Sequence, residues 1–255
     1  MKKVLALTAI VVVALLVAGI LAGLFFVNSL VKTGVETVGP KIAKVDMKLD
    51  GASISLFSGE GSLKGLVVGN PEGYKTPSAI QVGQVSVAIQ PGSLLSDKVV
   101  VRRVSVESPE ITFEGSLSGN NLSKIMENVQ AFTATQSASA KTGEPKSKKI
   151  QVDDFQITGG QINLSMTLLG GKAVRVPLPD IRLQNLGQGG DGITPGDLME
   201  KVFKAVLEGT TKAVSGALGD VGKEAVGTVK DLGQGTGKEV EKVTKGIGDL
   251  FKKKP

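Results

Sequence analysis

The sequence has no cysteine, no histidine and no tryptophan, and one tyrosine among its 255 residues. Without cysteine there is no disulfide, no thiolate nucleophile and no thiol to carry a lipid; an oxidising compartment is permitted but not demanded. Without histidine, His-based triads and the commonest zinc shells are excluded. The one adjacent acidic pair, Asp153-Asp154, sits in an alternating run that turns successive side chains to opposite faces. Gly59-Glu60-Gly61 lacks both the strand-to-helix setting and the Lys/Ser ending of a phosphate loop. These absences leave no catalytic constellation, and no enzyme activity, cofactor or metal is expected.

Charge is unevenly placed. The net charge is +6, with Lys2 and Lys3 at the start, four lysines against Glu144 between Lys141 and Lys149, and Lys252 to Lys254 at the end. The remainder is near neutral, which does not describe a nucleic-acid-binding face.

What is present begins with Val4 to Val27, 24 residues without a charge. As a helix, at about 1.5 Å per residue, this run is about 36 Å long, enough to cross a hydrocarbon core of about 30 Å with tilt. A cleaved signal peptide normally has an apolar stretch of about 7–15 residues before a small-x-small site. Here the run continues through Phe25, Phe26 and Val27, so residues 1–27 are expected to be a retained transmembrane anchor. The short end is expected in the cytoplasm and the bulk outside. Residues 28–43 then read as a helical neck that Gly39-Pro40 should end or kink.

From residue 44 to 190 the period changes to two. Val45, Met47 and Leu49 alternate with polar residues, a turn is expected at Asp50-Gly51, and Ile54 and Leu56 follow it. Asn70-Pro71-Glu72-Gly73 has turn chemistry. Short alternating runs follow at 80–89, 98–106 and 110–114, the last two divided near Ser108-Pro109, and they predict an antiparallel meander. Leu122, Ile125, Met126 and Val129 have the spacing of one helical face. Residues 131–148, rich in Thr, Ser, Ala and Lys, are expected to be a mobile linker.

Lys98 to Val106 aligns without a gap on Lys149 to Ile157, and at the same offset Ile111 and Phe113 fall on Ile162 and Leu164. A strand-turn-strand unit occurring twice accounts for this, with the linker between copies. Two copies should share one sheet and turn their apolar side chains to one inner face, made of Val85, Val87, Ile89, Val99, Val101, Ile162, Leu164 and Met166. Val174, Val176 and Leu178 form another strand, whose Pro177 and Pro179 belong at an edge or where pairing lapses.

The tail, 191–255, has another code. Thr194-Pro195 with Asp197 reads as a helix start. Leu218, Val221, Ala225, Val229, Leu232, Val240, Val243, Ile247 and Phe251 then recur on an eleven-residue period, with Thr236 filling one place. Eight glycines between 219 and 248 weaken this helix by about 1 kcal/mol each relative to alanine. An amphipathic tail of this kind needs a surface to become ordered: a membrane, the β domain, a protein partner or another copy; without one, a largely disordered tail is expected.

Ser53 to Gly59, Leu63 to Tyr74, Ser93 to Lys98 and Ser108 to Glu114 resemble the amino-terminal region of AsmA-like proteins, bacterial inner-membrane-anchored proteins with a repeating β-groove. With the readings above, the resemblance implies a mainly β fold, with an amino-terminal transmembrane helix, a curved antiparallel sheet of repeated hairpins and a short helix; the C-terminal amphipathic helical tail is a departure from the family. The resemblance also implies a single-pass inner-membrane location with the bulk in the periplasm, and an apolar concave face that meets phospholipid acyl chains. Handling of phospholipid, or support of envelope and outer-membrane assembly, is the function this implies. A non-catalytic scaffold that binds an envelope protein is the alternative.

Overall fold

The computed structural model describes residues 27–139, 148–165 and 174–231, with side chains left aside at 137–139 and from 220 onward. Alternation builds ten strands in these residues: β1 (Met47–Ile54), β2 (Glu60–Val68), β3 (Ile80–Ile89), β4 (Lys98–Glu107), β5 (Glu110–Ser116), β6 (Gly119–Asn120), β7 (Lys149–Thr158), β8 (Gln161–Ser165), β9 (Val174–Pro177) and β10 (Ile181–Leu186). Helices α1 (Gly39–Ala43), α2 (Asn121–Ser139) and α3 (Pro195–Asp231) accompany them. The strands form one curled, half-barrel sheet in the order β10-β7-β4-β3-β5-β8-β9, with β2 beside β3 and β1 beside β2.

The internal repeat is the pairing register itself. β4 lies parallel to β7 with Lys98 opposite Lys149 and Val106 opposite Ile157. β5 lies parallel to β8 with Ile111 opposite Ile162 and Phe113 opposite Leu164. Both copies therefore share one sheet, but neither is a hairpin. β4 and β5 both run antiparallel to β3, so the chain keeps its direction through Ser108-Pro109. The separation is a corner, with Ser108 at φ 49° and Gly159 at φ 65° at matching places. Hydrogen bonds cross it without a break, from Ser108 N to the Thr158 carbonyl and from Gln161 N to the Pro109 carbonyl. β9 and β10 repeat the device: Leu178 to Asp180 turn the corner, and Leu178 N bonds the Gly160 carbonyl. Pro177 thus falls on the edge strand, where a missing amide costs no ladder bond.

The expected all-antiparallel meander is accordingly a mixed sheet. Two parallel strands need a crossover on one face, and α2 lies in that connection between β5 and β7. The turn expected at Asp50-Gly51 is not there either. β1 passes straight through, because Gly65 at φ 61° takes up the irregularity opposite Asp50, and the chain reverses at residues 55–59.

Among the described residues no helix is long and apolar enough to cross a membrane. The expected anchor lies outside them except for Val27, from which the chain is helical to Ala43. Gly39-Pro40 does not end this neck. A π turn at Gly34–Val38 precedes it, the Gly39 amide bonds the Gly34 carbonyl, and Pro40 enters where its lack of an amide hydrogen is harmless. Lys44, at φ 55°, closes the helix.

The expected linker starts too early. α2 continues to Ser139, with Phe132 packed on the core and the Thr133 and Thr135 hydroxyls bonded to the Val129 and Ala131 carbonyls. Hydroxyls satisfied within the helix make a Thr-rich stretch compatible with it. Residues 140–147 lie outside the described residues.

The face read from α2 is the buried one: Leu122, Ile125, Met126 and Val129 join Ile111, Phe113, Ile162 and Leu164 in one apolar cluster. α3 adds Phe203, Val206 and Val214 to the same cluster. Its start is as expected, with Asp197 N donating to Thr194 Oγ1 at 3.1 Å and Thr194 N donating back to Asp197 Oδ2 at 3.2 Å. These reciprocal bonds satisfy donors that the first helical turn would leave free.

Candidate functional site

The two faces of the sheet differ in chemistry, and the cross-strand register shows how. Leu63, Val85, Val106, Ile157 and Ile181 lie in one row across five strands. The next row toward the β1–β2 turn is Gly61, Val87, Val104, Phe155 and Leu183, and beyond it come Ile89, Val101, Val152 and Leu186. Between these rows the opposite face shows Ser62, Ser86, Ser105, Gln156 and Arg182. One face is apolar and the other polar, as period two requires.

Alternation slips once, at the same place in three strands. Val101 and Val104, Val152 and Phe155, and Leu183 and Leu186 are three apart yet all belong to the apolar cluster or pack on it. The extra residues, Arg102-Arg103, Asp153-Asp154 and Gln184-Asn185, lie side by side, and Asn185 takes φ 57°. An added residue at one level of neighbouring strands bends and twists the sheet there.

Asp153-Asp154 therefore belongs to the bend. On the polar face the Asp154 carboxylate accepts two bonds from Arg182, at 2.8 and 3.1 Å, with Arg103 Nε at 3.8 Å. The hydrogen bond from Arg182 holds the Asp154 carboxyl below its usual value against the opposing effect of desolvation, with the Arg182 and Arg103 charges assisting. A carboxyl so lowered stabilises the fold above its unfolded-state pKa and ceases to as pH falls through its folded value. Arg182→Ala is expected to lower stability in urea at neutral pH, with the difference from the parent closing in acid; a gap unchanged by acid would show that the arginine acts through packing.

The apolar face is not covered evenly. α2 packs against β5 and β6, and α3 against β7, β9 and β10. Of the residues expected on this face, Val85, Ile162 and Leu164 are core, and Ile89 is buried. Val87 and Val101 pack on the core but keep part of their surface open, and Val99 is half-buried. Met166 lies outside the described residues. The structure adds Leu63 and Val104, both partly open. Val104 escapes simple alternation because of the slip at Arg102-Arg103. Leu63, Val87, Val99, Val101 and Val104 form a half-buried apolar strip on β2–β4, running toward the end of the sheet where β4 begins.

Of the tail stripe, Leu218 packs on the core. Val221, Ala225 and Val229 fall on the helical backbone of α3. Leu232, Val240, Val243, Ile247 and Phe251 lie outside the described residues. Upstream of Leu218 the 3-4-4 spacing already operates: Phe203, Val206, Thr210 and Val214 are all buried. The described turns of the helix thus find their surface on α2 and the β sheet together.

No curated protein matches the chain in a comparison of sequences. A comparison with protein families matches residues 1–175 to the AsmA family, which covers the corner-bent strands up to the start of β9. With more than half of its length matched, the chain belongs to the AsmA family.

Proposed function

We propose that this protein handles phospholipid at the bacterial inner membrane, its bulk in the periplasm, holding acyl chains against the half-buried strip of Leu63, Val87, Val99, Val101 and Val104. The observation that carries this reading is the uneven cover of the apolar face. The helices lie on the β5, β7, β9 and β10 side, while Val87 of β3 and Val99, Val101 and Val104 of β4 keep open surface. A continuous apolar strip with its polar groups paired along the strands suits a hydrocarbon chain, which offers no hydrogen bonds in return. Membership of the AsmA family supports an envelope- or lipid-related role.

Native mass spectrometry of the full chain after gentle detergent extraction tests this. Bound phospholipid is expected on the parent and lost from Val104→Glu, with the β circular dichroism of both retained. A parent that releases no lipid would sink the proposal and favour the scaffold reading, in which the tail engages an envelope protein. Protease treatment of spheroplasts tests the location: degradation of the sheet domain from outside is expected.

A further inference from the structure

We propose that the end of the sheet carrying Phe57 and Leu95 rests in the surface of the bilayer that residues 4–27 enter. This deepens the function proposed above and rests on residues 4–27 being the membrane anchor expected from the sequence. The neck fixes the geometry. Asn28 Oδ1 accepts the Ile54 amide at 2.8 Å, Lys32 Nζ donates to the Asp50 carbonyl at 3.3 Å, and Glu36 Oε1 accepts the Leu49 amide at 3.1 Å. The neck therefore runs antiparallel along β1. The chain enters at the end where β1 turns into β2.

Both outstanding apolar side chains are at that end. Phe57 tips the β1–β2 turn and is 79% exposed; Leu95 closes the short 3-10 helix between β3 and β4 and is 95% exposed. The ends are contiguous, since Gly59 O accepts the Ile89 amide and Asp97 O accepts the Lys149 amide. Of the other two exposed large apolar side chains among the described residues, Leu30 is on the neck two residues after Asn28, and Val38, less exposed, lies further along the neck away from this end. The loops at the other end of the sheet, around Glu72 and Lys75, carry no exposed large apolar side chain among the described residues.

Distance makes the bilayer the occupant. The apolar run ends at Val27 and the pinned residue is Asn28, about 1.5 Å further along a helix axis, so the tether has no slack. Phe57 and Leu95 are thereby held at the interface at high effective concentration, where burial of each side chain from water is favourable. Charge is not the driving force. Lys98, Lys148 and Lys149 share this rim with Glu60, Asp97 and Asp191, and Lys98 and Lys148 are engaged with the Gly190 and Leu94 carbonyls. The strip through Val101 and Val99 runs out at the same rim, so docking there sets its mouth against the lipid.

The absence of cysteine makes the test direct. Full-length chain with one introduced cysteine, at Phe57, Leu95, Glu72 or Leu16, is labelled with an environment-sensitive fluorophore and placed in phosphatidylcholine nanodiscs with and without nitroxide lipid. Loss of emission is expected at 57, 95 and 16 and none at 72, unchanged when anionic lipid is added. Quenching at 16 with emission intact at 57 and 95 overturns the docking proposal and leaves the anchor standing. Emission intact at 16 overturns the anchor, and the docking proposal with it.

Discussion

Phe113→Ala is expected to destabilise the sheet domain by about 3–5 kcal/mol, the range for removing a fully buried phenylalanine. Phe113 is wholly shielded from solvent in the middle of β5, paired with Leu164 on β8. It belongs to the cluster that receives Leu122, Ile125 and Val129 of α2, so its loss opens a cavity between sheet and crossover helix. Those neighbours are anchored on separate elements and cannot collapse into the gap without moving backbone. Equilibrium urea unfolding of the full chain in detergent measures the effect. Val100→Ala, half-buried away from this cluster, is the comparison and should cost far less. A loss for Phe113→Ala no larger than for Val100→Ala would show that α2 does not close this core.

The second large effect is expected at Asn121, which is fully buried at the start of α2. Its Nδ2 donates to Asn70 Oδ1 and to the Thr112 carbonyl, each at 2.8 Å, and its Oδ1 accepts the Glu114 amide at 3.0 Å. One side chain thus ties β5 to the loop between β2 and β3. The network continues, because Asn70 donates to the Thr76 carbonyl and hydroxyl, both at 2.7 Å. Glu114 completes it by accepting Lys75 N and Thr76 N at 2.8 Å and the Thr76 hydroxyl at 2.6 Å. Desolvation acts to raise the Glu114 carboxyl, but these three donors outweigh it and hold the carboxyl below its usual value.

Asn121→Ala removes the partner of the Thr112 carbonyl and the Glu114 amide, and a buried polar group left unpaired costs about 1–3 kcal/mol. The urea midpoint should fall accordingly, and the Lys75 and Thr76 amides should exchange with solvent faster. Unchanged exchange at those two amides would show that the loop is held without the asparagine.

Much of this architecture was legible in local pattern. The spacing of Leu122, Ile125, Met126 and Val129 named the buried face of α2, because a helix presents residues three and four apart on one side whatever it packs against. The offset that aligned Lys98 with Lys149 and Phe113 with Leu164 is the parallel pairing of the two copies. Thr194 and Asp197 marked the start of α3, and Pro177 marked an edge, each through hydrogen bonds that the backbone must make or do without.

Direction and cover were not legible. A division such as Ser108-Pro109 permits either a reversal or a corner, and pairing with β3 and β8, distant in sequence, makes it a corner. Residues 131–139 look like linker until Phe132 meets the core. The stripe of α3 could serve any apolar surface, and α2 and the sheet together take its described turns.

On its own, the amino-acid order determined which residues alternate, which repeat and which cannot do chemistry, because periodicity and side-chain type are properties of neighbours along the chain. Only the tertiary structure decided that β4 and β7 run side by side, that α2 and α3 close one half of the apolar face, and that Leu63, Val87, Val99, Val101 and Val104 stay partly open. Those outcomes depend on contacts between residues far apart in the chain, and no local pattern specifies how far a helix on one element reaches across another.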